Sequence, residues 1–184
     1  MTAILTVFLY AGALTQAAPP QSDARRQLDE RGAHAMGFDQ DDTTHHFLLY
    51  QDGGAIDVVV KNMADAANRD AIRMHLPHIA TLFSQGNFNL PHFIHATDVP
   101  GAVVMARLKG RITYAYRETP GGGRVDIITS DKEALAAIHA FLRFQIIDHK
   151  TGDSLEVGIR PELKAPATHG ASSGSRRTRL PDAA

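Results

Sequence analysis

Cysteine is absent from all 184 residues of the chain. No disulfide can staple the fold, no thiolate can hold a metal, and without a C-x-x-C-H segment covalent attachment of a c-type haem is excluded. Any metal must be held by histidine, methionine, carboxylate or water. An excess of one charge is missing too: 19 Lys and Arg against 20 Asp and Glu give a formal net charge of −1 and no electrostatic footprint for nucleic acid. The one basic cluster, Arg176, Arg177 and Arg179, lies in a polar tail. The G-x-S-x-G string at Gly170 to Gly174 lies in the polar tail with no apolar strand pattern before it and so does not read as a nucleophile elbow. There is no phosphate-cradling glycine loop and no S-x-x-K, and Gly121-Gly122-Gly123 is read as a hairpin turn.

With 43% hydrophobic and 21% charged residues, the chain belongs with ordinary globular proteins and is long enough for one domain but not two. Met1 to Ala18 carries no charged side chain and runs apolar through Ile4, Leu5, Val7, Phe8 and Leu9 to small residues at Thr15 and Ala17. That pattern predicts a secretory signal peptide over 1–17, although the usual Lys or Arg near the start is missing. The run ends at Pro19-Pro20, short of the ~20 residues needed to span a bilayer, so no stable membrane insertion is expected after cleavage. A polar lead-in with a short surface helix follows over 18–36. The folded body is expected over 37–157, and 158–184, poor in large apolar side chains, is expected to be a disordered tail.

Inside the body one pattern occurs twice. Thr43 to Gln51 reads as a strand, Asp52-Gly53-Gly54 as a turn, Ala55 to Lys61 as the returning strand, and a helix follows from near Asp65. Arg111 to Arg117, a turn over Thr119 to Gly123, and Arg124 to Thr129 repeat it, with Ser130 capping a second helix and Glu133 completing a capping box. The first helix carries Ile72, His75, Ile79, Leu82 and Phe83 on one side, and the second carries Leu135, Ile138, Leu142 and Ile146. Two tandem β-β-α units predict an α+β fold: a four-stranded antiparallel sheet, both helices on one face, with a pseudo-two-fold axis. The long connection from Asn87 to Lys109 holds a short helix from Ala102 to Leu108, and such connections are often functional.

The chain is rich in histidine instead: ten in all, eight of them between His45 and His149. Imidazole is the commonest metal ligand and titrates nearest neutral pH, so the enrichment points to a metal, a haem or proton chemistry. His45 and His46 are adjacent on the first strand and face opposite sides of the sheet, so only one can meet the helices. His75 and His78, three apart on the first helix, are spaced for joint metal binding. Pro77 between them is expected to mark a helix start closer to Met74, the alternative being a kink that spreads the two imidazoles. His139 holds in the second unit about the position that His75 holds in the first. His92 and His95 form a second H-x-x-H pair, and neither pair carries the glutamate of H-E-x-x-H or H-x-x-E-H. The candidate metal ligands are therefore a cluster centred on His75 and His78 with His46 or His45, completed by His139 or by His92 and His95, and binding copper or zinc. Met36 and Met74 are candidate thioether donors to Cu(I), although isolated methionines more often fill core gaps.

Non-covalent haem is a further option, with Phe83, Phe88, Phe93, Phe141 and Phe144 available to line a slot. A His46–Asp57 pair across the first hairpin could act as base and orienter, but such pairs are common as plain cross-strand contacts, and the balance lies against an enzyme.

Three segments, M-G-F-D-Q-D-D-T-T-H-H-F (Met36 to Phe47), I-R-M-H-L-P-H-I (Ile72 to Ile79) and F-L-R-F-Q-I-I-D-H-K-T-G-D (Phe141 to Asp153), resemble an uncharacterised family of bacterial exported proteins. The resemblance implies export and a single domain and brings no established activity. Some members carry the automatic label aspartate carbamoyltransferase. The label does not fit, because that enzyme has two domains and this chain has the length of one; its S-R-R-T-R string, Ser175 to Arg179, which matches the enzyme's carbamoyl-phosphate-binding S-x-R-T-R pattern, falls in the polar tail outside the expected folded body. The expectation is a periplasmic or secreted protein that binds or delivers a transition metal. The alternative is a metal-free module for an apolar ligand or a protein partner, and the sequence leaves the oligomeric state open, a homo-oligomer among the options.

Overall fold

The computed structural model describes residues 21–161; the expected signal segment, and the expected tail past 161, lie outside these residues. In chain order the elements are α1 (Gln21–Met36), β1 (Thr43–Tyr50), β2 (Gly53–Val60), α2 (Ala66–Ser84), α3 (Asn89–His95), α4 (Ala102–Arg107), a 3-10 turn at Lys109–Arg111, β3 (Ile112–Thr119), β4 (Gly122–Thr129) and α5 (Lys132–His149). The four strands form one antiparallel sheet in the order β1-β2-β4-β3, so the returning strands of the two hairpins pair at its centre. Each hairpin is followed by a helix on the sheet, as the repeated pattern predicts, but each helix covers mainly the other hairpin: α2 lies on β3 and β4, and α5 on β1 and β2. Among the described residues no helix is long and apolar enough to cross a membrane.

Side-chain alternation decides which residues meet the helices. Phe47, Leu49, Ile56, Val58, Val125 and Ile127 point into the core, where Ile72, Leu76, Phe83, Ile138, Phe141 and Leu142 pack on them. On α5 the buried side runs through Ala134, Ile138, Phe141, Leu142, Gln145 and Ile146, turned slightly from the expected stripe, with Leu135 only half-buried.

Three local expectations change. Gly53 and Gly54 belong to β2, and Gly122 and Gly123 to β4, not to the turns, because the sheet passes close to its neighbours at these positions. A Cβ on Gly122 would come within 2.2 Å of the Val58 carbonyl oxygen, and one on Gly123 within 2.8 Å of the Tyr116 ring. The cap of α5 is Asp131, one residue later than expected, since its carboxylate accepts from the backbone N–H groups of Glu133 and Ala134 at 2.9 and 3.0 Å. Finally, α2 does not begin near Met74 but runs unbroken past Pro77 from an N-cap at Asp65. Proline has no N–H to offer the carbonyl four residues back. That carbonyl, on Arg73, lies 3.5 Å from the Tyr116 hydroxyl, which donates to it. Tyr116→Phe should therefore leave the carbonyl without a partner and lower stability by about 1 kcal/mol, read from the urea unfolding midpoint.

After α5 the chain does not leave the domain at 158. Residues 151–160 return along the free edge of β1, where Gly158 donates to the Leu49 carbonyl at 2.9 Å and accepts from Gln51 N–H at 3.2 Å. Asp153 accepts from the Phe47 N–H at 2.9 Å and from Thr151 Oγ1 at 2.7 Å. Arg160 lies over the Tyr50 ring and donates to Asp52 and Asp126 on the sheet face away from the helices.

Candidate functional site

The helix-facing end of β1 meets α2, α3 and α5 around a cavity of about 70 Å³. By the ~10–15 Å³ that one water requires, this holds several waters, a bare ion or a small molecule. Strand alternation sends His45 into it beside Phe47, while α2 contributes His75, Leu76 and Ile79. Pro91, Ile94 and His95 come from α3, and Phe141, Gln145 and His149 from the last two turns of α5. Met36, the last residue of α1, closes one side together with Phe38; the helix stops there because Gly37 takes a positive φ of 75°.

The rings form one connected group. Phe38 stacks on His45 at 5.7 Å between centroids and meets His75 edge-on at 5.6 Å. His45 stacks on His149 at 6.0 Å, and His149 meets His95 edge-on at 4.9 Å. Burial holds His45 well below an ordinary imidazole, at about 4, with the neighbouring His75 and His46 adding to the effect. Burial likewise lowers His75 to about 4, helped by His78. At neutral pH both rings are uncharged, the form in which imidazole binds a metal. Nε2 of His45 is buried with no hydrogen-bond partner.

His95 is held differently. Its Nδ1 lies 2.6 Å from Asp148 Oδ2 and its Nε2 2.9 Å from Gln145 Oε1, so protein groups engage both nitrogens and the ring serves as a wall. The amide nitrogen of Gln145, a residue that also lines the cavity, is buried without a partner.

Comparison with protein-family models, curated proteins and solved structures finds no match to this chain. The chemistry is therefore argued from these residues alone.

Of the five ligands expected from the sequence, the cavity brings together His45 and His75. His46 faces the other side of the sheet, where its Nδ1 lies 2.8 Å from Asp153 Oδ1; it stands opposite Asp57 in the strand register, but its hydrogen bond is with the returning C-terminal segment. His78 is exposed: at 100° per residue it falls about 60° farther from the buried stripe of α2 than His75 does. Nε2 of His139 donates to the Tyr50 and Gly53 carbonyls at 2.9 and 3.1 Å, tying α5 to the first hairpin turn. In the second H-x-x-H pair His92 is exposed beside Asp98, whereas the His95 side chain is only 2% exposed. Met74 is 76% exposed and away from the cavity. A porphyrin would require the aromatic walls to part.

His149 and Gln145 belong to the cavity and were not singled out as ligands from the sequence. A signal for them existed, since Ala134, Ile138, Phe141, Gln145 and His149 recur at three- and four-residue spacing and continue the buried side of α5 into the cavity.

Proposed function

We propose that this chain is an exported protein that binds a transition metal in the cavity between β1, α2 and α5, with His45 and His75 as the nitrogen ligands, in a binding or delivery role. The observation that carries this reading is the buried, unpartnered Nε2 of His45, on a ring kept neutral by burial, sharing an apolar cavity with a second neutral imidazole. A buried polar atom without a partner is uncommon and costs about 1–3 kcal/mol; a metal ion would relieve that cost. Among the described residues no three His, Cys, Asp or Glu side chains are gathered into a ready-made ligand group. A further donor outside those residue types, the Met36 thioether, lies on the same cavity. Export rests on the apolar N-terminal run and on the family resemblance.

A second reading has one observation in its favour. The unpartnered Gln145 amide and the surrounding Phe38, Phe47, Phe83 and Phe141 suit a small apolar molecule carrying one hydrogen-bond acceptor. Elemental analysis of untagged protein separates the two. One equivalent of copper or zinc is expected in the parent and in a His46→Ala/His78→Ala variant, falling below a tenth of an equivalent in His45→Ala/His75→Ala. Equal loading of the two double variants would overturn the assignment, and no metal in any of them, even after incubation with copper and zinc salts, would leave the apolar ligand as the better account.

A further inference from the structure

Resting on that reading, we infer that the resident ion is Cu(I), held by the two imidazoles of His45 and His75 and the thioether of Met36. The cavity offers no anionic ligand. Its polar lining consists of histidines and one glutamine, and the rest is hydrocarbon and thioether. The nearby carboxylates are engaged elsewhere: Asp148 by His95 at 2.6 Å, and Asp153 by His46 at 2.8 Å on the opposite side of the sheet. Such a site has a formal ligand charge of zero in a low-dielectric setting. The Born cost of burying an ion grows with the square of its charge, so Zn(II) or Cu(II) faces about four times the penalty of Cu(I) with no anion to offset it.

Donor chemistry and coordination number agree with charge. Thioether sulfur is a soft ligand that selects Cu(I), while zinc prefers a tetrahedron of four nitrogen, thiolate or carboxylate donors. Two nitrogens and one sulfur fall short of that tetrahedron but satisfy a two- or three-coordinate cuprous ion. Met36 ends α1 immediately before the positive-φ Gly37, is partly buried against the core and lines the same cavity as both imidazoles.

Anaerobic titration with Cu(I) against a chromophoric cuprous chelator, run beside titrations with Zn(II) and Cu(II), tests the inference. The expected result is one Cu(I) bound at least roughly a hundredfold more tightly than Zn(II), weakened roughly tenfold or more by Met36→Leu and unaffected by Met74→Leu. Met36→Leu conserves volume, and its thermal midpoint checks that the fold is intact. Zn(II) binding as tightly as Cu(I), or Met36→Leu leaving Cu(I) affinity unchanged, would overturn the cuprous assignment while the His45/His75 site stood. Failure to bind any of the three ions would overturn the site itself.

Discussion

Acidification from pH 6.5 to 4 is expected to remove several kcal/mol of stability from the metal-free protein. Burial lowers His45 and His75 from an ordinary 6.5 to about 4. In the unfolded chain both rings take up a proton near 6.5, while in the folded protein they resist until about 4. The unfolded state therefore binds more protons throughout this window, and stability declines as the pH falls through it. Above 6.5 both states are neutral at these positions and the contribution is complete. At 1.36 kcal/mol per pK unit, each ring contributes on the order of 2–3 kcal/mol, and the pair represents a sizeable share of the 5–15 kcal/mol typical of a whole domain. Urea unfolding midpoints at pH 7.5, 6, 5 and 4.5 measure the slope. A His45→Gln/His75→Gln variant should give a clearly flatter profile whatever its absolute stability; the same slope in parent and variant would place the acid sensitivity elsewhere.

The second large effect lies on the opposite face of the sheet. Asp126, 3% exposed at the middle of β4, accepts from Arg124 Nε at 2.9 Å, from Arg160 at 2.5 Å and from Arg117 at 3.3 Å. Asp126→Ala takes the shared carboxylate from three guanidinium groups, two of them largely buried, leaving Arg160 with Asp52 and Arg124 with only the more distant Asp57 as carboxylate partners. Removing one partner of a buried pair costs about 3–5 kcal/mol. Arg160→Ala is milder because Arg124 and Arg117 still neutralise the carboxylate; it forfeits charge-assisted hydrogen bonds of roughly 1.5–3 kcal/mol. Asp126→Ala should thus lower the urea midpoint more than Arg160→Ala does, and Arg160→Ala should leave metal stoichiometry unchanged, since Arg160 lies on the sheet face away from the helices and the cavity on the helix-facing side. Equal midpoints for the two variants would mean that Asp126 gains little from its buried partners.

The two periods of the backbone made much of this legible. Alternation in T-T-H-H-F separates His45 from His46, and the turn signals at Asp52-Gly53 and around Pro120 define the two hairpins. The helical period places Ile72, Ile79 and Phe83 on one side of α2 and His75 on its flank. Local rules failed where a distant group changed the local balance. Pro77 is accommodated because Tyr116 reaches the carbonyl that the proline leaves free, and Gly122 and Gly123 serve close packing within the sheet. The strap at 151–160 is poor in buried apolar side chains and is held by backbone pairing and ion pairs, which leave no hydrophobic period to read. The candidate site was half visible for the same reason. Faces of single elements can be read, so His45 and His75 emerged; that the end of α1 and the last turn of α5 close on the same cavity, bringing Met36 and His149, depends on the path of the chain in space.

The most direct test of the account is anomalous X-ray scattering at the copper edge from crystals of the copper-loaded protein. The account predicts one strong peak inside the cavity, about 2.0–2.1 Å from a ring nitrogen of His45 and of His75. A peak beside the exposed His78 or His46 with the cavity empty of metal would contradict it.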